Sequence, residues 1–190
     1  MEPFAQTYAE NRALVLQELD AALSAVDPAS VRALMDLVAG AQQVFFVGVG
    51  RVLLSLEAIA KRWAHLGVRA HIVGEITEPA ITDQDVLIVG SGSGATMFPV
   101  GIAKLAHSRG AKVVHIGSNP NGELAGLITL MVRIPVRTKQ YLPDEIDSRQ
   151  PMTSLFEQSL LLLGDIIARM MMEEKQLDMK SLWQYHANLE

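Results

Sequence analysis

The sequence has no cysteine among its 190 residues. This excludes a disulfide framework, a thiol nucleophile and thiolate metal ligation, and it fits the cytoplasmic location we expect. Basic clusters are also missing, and the net charge is −5. Binding a nucleic-acid backbone needs a basic face, so no nucleic-acid partner is expected. Long uninterrupted apolar runs are absent as well. The most apolar stretch, "SLLLLGDIIARMMM", is broken by Asp165 and Arg169, so it reads as a buried or interface helix and not as a membrane span. The opening "MEPFAQTYAE" has neither the positive charge nor the apolar core of a secretory signal. No spacing of His, Asp and Glu argues for a bound metal. "GVGRVL" lacks the third glycine of a dinucleotide fingerprint, and no P-loop Lys-Ser/Thr occurs. NAD and ATP are therefore poor candidates, and no cofactor is expected.

Hydrophobic residues make up 49% of the chain and aromatics only 5%, as in compact α/β proteins. One domain over residues 1–190 is expected. It divides into N-terminal helices (1–40), a sheet core (41–135), a loop (136–152) and a C-terminal helix with a tail (153–190). Tyr8, Val15, Leu19, Ala22 and Val26 fall on one stripe of a helix over 4–26. Asp27-Pro28 ends it and opens a second helix to about Ala39. The period then changes. Short apolar runs bounded by glycine, at 44–49, 68–74, 85–91, 112–118 and 127–134, read as parallel strands buried on both faces. Helices are expected at 52–66, 96–109, 121–126 and 153–174. This alternation predicts an α/β fold, a doubly wound five-stranded parallel sheet in flavodoxin-like order flanked by helices. Segment 135–152 holds three prolines and no period, which suggests a lid or a disordered loop.

Ligands of such sheets bind beyond the carboxyl ends of the strands. "SGSGAT" (91–96) lies at one such end and opens a helix. Gly92 and Gly94 allow close backbone approach, Ser91, Ser93 and Thr96 offer hydroxyls, and the helix start attracts an anion. "GVGR" (48–51), with Gly50 and Arg51, and "GSNPNG" (117–122), with Ser118, close two other strands and could converge on the same pocket. A phosphate cradle without lysine is the favoured reading, and ordinary turns are the bland one. Arg51 reads almost equally well as a phosphate contact or as a solvated residue at a helix start. Arg137 and Lys139 in the long loop could close over an anion, and a solvated charge pair is the favoured reading.

The segments "VFFVGVGR", "VGEITEPAI", "DVLIVGSGSGAT", "GAKVVHIGSNPN", "SLFEQSLLLLGD" and the terminal "HANLE" occur in the order seen in the sugar isomerase (SIS) domain family. More narrowly, the chain resembles the 6-phospho-3-hexuloisomerases along essentially its whole length. The resemblance implies interconversion of 3-hexulose 6-phosphate and fructose 6-phosphate in the ribulose monophosphate pathway. It also implies a homotetramer with active sites near subunit interfaces, without metal or organic cofactor. Two positions depart from the pattern. Val52 stands where a serine is usual, and Ala95 stands where "SGSGET" has its glutamate. The candidate base is Glu157, in the first turn of an apolar helix. Helix capping with Ser154 is its alternative role, and the "LFE" match favours catalysis. The candidate proton shuttle is His186, expected to enter a neighbouring subunit's pocket. Two other readings stay open: an aldose–ketose isomerase of another phosphosugar, and a non-catalytic sugar-phosphate-binding protein.

Overall fold

The computed structural model describes residues 3–189; Glu190, the last residue of "HANLE", lies outside them. Helices α1 (Pro3–Ser24) and α2 (Pro28–Gly40) come first. Asp27 caps α2 by accepting from the Ala29 amide at 3.0 Å, with proline at the first helical position. Then β1 (Val44–Val47), α3 (Gly50–Ala64), β2 (Ala70–Ile72), β3 (Val86–Gly90), α4 (Met97–Ser108), β4 (Lys112–Gly117) and β5 (Leu130–Arg133) alternate. Helix α5 (Ser154–Glu174) and a 3-10 turn, Ser181–Tyr185, complete the chain.

The five strands form one all-parallel sheet in the order β2-β1-β3-β4-β5, the flavodoxin-like order expected. Alternate side chains serve opposite faces. Val44, Phe46, Val86, Ile88, Val114 and Ile116 join a core with α2, α3 and α5. Phe45, Val47, Leu87, Val89 and Val113 pack with α4 on the other face. Burial on both faces explains why these strands read as continuous apolar runs. From β1 the chain crosses to β2 on one side, and from β3 to β4 on the other. The strand order reverses between β1 and β3, so the loops following them face one crevice.

Several expectations need correction. Residues 121–126 form turns, not a helix. The Leu124 amide donates to the Gly94 carbonyl at 3.1 Å, so the donor needed for a helical turn braces the 91–96 loop instead. The edge strands β2 and β5 are shorter than their apolar runs. Tyr8 is exposed, and Ala22 is the buried residue of α1. The 135–152 segment is an ordered loop. Val136 bridges Ile146, and Glu18 of α1 accepts from the Ser148 hydroxyl (2.6 Å), the Arg149 amide (2.8 Å) and the Gln150 side chain (3.1 Å).

Candidate active site

The loop after β1 turns directly into α3. Gly50 adopts φ +58°, a backbone state that disfavours side chains. Val49 provides no side-chain cap, which leaves the first amides of α3 open to the crevice. Gly50, Arg51 and Val52 line one wall of a cavity of about 350 Å³, a size typical of small-molecule sites.

The loop after β3 forms the floor. Ser91, Gly92, Ser93 and Thr96 line the cavity. The Ser91 and Thr96 hydroxyls share a hydrogen bond at 3.2 Å, and the Gly94 amide donates to the Ser91 hydroxyl at 3.1 Å. Gly94 itself adopts φ +63°. Thr96 begins α4 without a side-chain cap bond, so the helix start stays available to an anion. Beneath the loop lies the buried His115, whose Nε2 is 2.7 Å from the Ser91 carbonyl oxygen. A carbonyl only accepts, so Nε2 carries the proton. Burial holds this imidazole below the ordinary histidine range, against the smaller opposing effect of that bond.

The roof and far wall come from the ordered loop and α5. Thr138, Lys139, Met152, Thr153, Phe156 and Glu157 line the cavity. Glu157 is only 8% exposed. Its Oε1 accepts from Thr153 Oγ1 at 2.8 Å, and its Oε2 is ion-paired with Arg51 Nε. The Ser55 hydroxyl donates to the Glu157 backbone carbonyl at 3.0 Å, tying α5 to α3. The capping-box alternative fails, because Thr153 occupies the N-cap and the carboxylate binds Arg51 and Thr153 instead of a backbone amide.

Gly50, Arg51, Ser91, Gly92, Ser93, Thr96 and Glu157 thus meet in one cavity, while three expected residues do not line it. Gly94 shapes the loop from behind. Ser118 is fully buried and donates to Glu145 at 2.8 Å. His186 stacks on His65 at 5.3 Å and meets the Trp183 ring in a tilted contact at 5.0 Å. His65 directly follows the last turn of α3, whose first turn carries Arg51, so His186 sits about 20 Å from the cavity of its own chain at the helical rise per residue. Conversely, Thr138, Lys139, Met152 and Thr153 were not singled out as site residues from the sequence. They come from a segment without period, and only the charge of Lys139 signalled one of them.

The SIS domain matches residues 37–163. The chain belongs to the SIS domain family. Among SIS relatives, the 3-hexulose-6-phosphate isomerase of Bacillus subtilis (strain 168) is 36% identical over 176 residues, covering 93% of this chain and 95% of that protein. The 3-hexulose-6-phosphate isomerase of Mycobacterium gastri is 37% identical over 180 residues, covering 95% and 90%. A crystal structure from Methanococcus jannaschii, for which the function of 3-hexulose-6-phosphate isomerase was inferred, superposes with a TM-score of 0.82 at 27% identity, covering 95% of this chain and 99% of that one.

Proposed function

We propose that this SIS protein interconverts 3-hexulose 6-phosphate and fructose 6-phosphate through a cis-enediol, in the ribulose monophosphate pathway. The carrying observation is a nearly buried carboxylate, Glu157, sharing one cavity with a hydroxyl-rich loop at a helix start. The loop 91–96 takes the phosphate through the Ser91, Ser93 and Thr96 hydroxyls and the amides of the α4 start. The sugar then extends toward α5. Glu157 removes the proton from the carbon beside the carbonyl, leaving an enediol across C2 and C3, and returns it to the other carbon. Hydroxyl protons must move between O2 and O3 in the same step. His186 is the proposed shuttle, delivered from a neighbouring subunit, because its own chain keeps it at the far end of α3. The resemblance adds a homotetramer whose sites lie near subunit interfaces, and the reading places it in the cytoplasm. Carbonyl migration involves no net redox change, so it needs no redox cofactor.

Proton NMR of fructose 6-phosphate with the purified protein in D2O tests this reading. Deuterium is expected at C3. Label at C1 instead would mean a 1,2-enediol and an aldose–ketose isomerase. Binding without exchange would indicate a sugar-phosphate-binding protein without catalysis.

A further inference from the structure

Two cations line the cavity, Arg51 and Lys139, and they differ in what they already hold. Arg51 is paired with Glu157. Among the described residues, Lys139 makes no hydrogen bond or ion pair, whereas its neighbour Arg137 pairs with Asp147 and the Ser148 carbonyl.

The backbone on both sides of Lys139 is anchored. Glu145 accepts from the Thr138 amide at 3.1 Å and the Thr138 hydroxyl at 3.0 Å, and from the Leu142 amide at 3.0 Å. Gln140 accepts from Asn119 at 2.7 Å, and the same Asn119 amide donates to the Ser93 carbonyl at 3.2 Å. The segment is therefore linked to the 91–96 loop through Asn119. It also packs on it: a Cβ at Gly92 would lie 3.0 Å from Thr138 Cγ2. A flexible lysine on a braced backbone, at the rim of a hydroxyl cradle with no cation of its own, is placed to meet an anion.

We propose that Lys139 is the specificity residue of this site, the cation that holds the substrate's phosphate dianion and favours phosphorylated over unphosphorylated sugar. The assignment rests on the phosphosugar reading above. It divides the two cations by task, Lys139 for phosphate charge and Arg51 for orienting Glu157. The Lys139 head group is exposed, so its attraction is screened by salt and acts mainly on binding.

The test is calorimetric titration of fructose 6-phosphate and of inorganic phosphate into wild type, Lys139→Met and Lys139→Arg, with KM and kcat for isomerisation measured alongside. Lys139 is exposed and has no partner among the described residues, so neither substitution threatens folding. Lys139→Met is expected to weaken both ligands by about ten- to hundredfold, as for loss of a charged hydrogen bond. KM should rise in step, kcat should change little, and Lys139→Arg should recover most of the loss. Unchanged affinity in Lys139→Met beside normal wild-type binding would overturn the proposal and leave the phosphosugar reading standing. A fall in kcat at unchanged affinity would also overturn it, by assigning Lys139 to the chemistry. A wild type that binds neither fructose 6-phosphate nor phosphate would overturn the phosphosugar reading and this proposal together.

Discussion

Glu157 and His115 are two buried polar residues on opposite sides of the same loop, and they make different demands on pH and chemistry. Glu157 reaches Arg51 and Thr153 with its two oxygens. Glutamine keeps the shape and loses the basic oxygen. Glu157→Gln should lower kcat by about a hundredfold or more, in the range set by loss of a general base, while its melting temperature stays near wild type. Steady-state kinetics and thermal melts check both halves. His115 bears on stability. Its folded value lies below the 6.5 of an ordinary histidine. Above that pH the residue is neutral in folded and unfolded chains alike. As pH falls through it, the unfolded chain takes up a proton first, so stability drops with falling pH until the folded value is passed. His115→Gln keeps a donor for the Ser91 carbonyl and removes the titration. Its urea midpoint should therefore fall less steeply than wild type as pH drops below the 6.5 of an ordinary histidine.

At the scale of elements, the spacing of α3 and α5 decides whether Arg51 meets Glu157. Gly164 sets that spacing. A Cβ there would lie 2.3 Å from Ile59 Cγ1, in a buried contact, and Trp63 donates to the Gly164 carbonyl at 3.0 Å. Gly164→Ala should cost about 1–3 kcal/mol through overpacking and should lower kcat by parting the two helices. Gly101 in α4 has open space at its Cβ position. Gly101→Ala should instead stabilise by about 0.5–1 kcal/mol through helix propensity. Opposite shifts in the denaturant midpoint would verify the contrast. The same elements show what can be read from a chain without coordinates. The strands were visible because both their faces are buried, which leaves a local apolar signal. The loop elbow was visible because turn chemistry is local too, whereas Glu157 at a helix start read equally well as a cap and stood out only through the "LFE" resemblance. The order of 135–152 was not, since it depends on Glu18, far away in sequence, and on Glu145, whose role emerges only when Ser118 and Thr138 meet it. Residues 121–126 form turns and not the expected helix because the Leu124 amide serves the neighbouring loop. The Arg51–Glu157 pair joins helices about a hundred residues apart, beyond the reach of any periodicity.

The whole molecule leaves a geometric question that a single chain does not close. His186 is stacked against His65 beyond the carboxyl end of α3, while the cavity lies at its amino end. Both cannot serve one site unless another chain supplies one of them. Apolar side chains exposed on α1 (Phe4, Tyr8, Leu16), on α5 (Leu162, Ile166) and near the cavity (Val49, Met97, Met152) are the surfaces through which copies could associate. If each site combines Glu157 of one subunit with His186 of another, two inactive variants should complement. Glu157→Gln and His186→Ala proteins, unfolded and refolded together, should recover about a quarter of wild-type activity per site, the share of sites that draw both intact residues under random assembly. Each variant refolded alone should stay inactive. If the mixture also stays inactive although native mass spectrometry shows hybrid assemblies, shared sites are excluded. Full activity of His186→Ala on its own would remove the tail from the chemistry and leave proton movement between O2 and O3 to groups of the cavity itself.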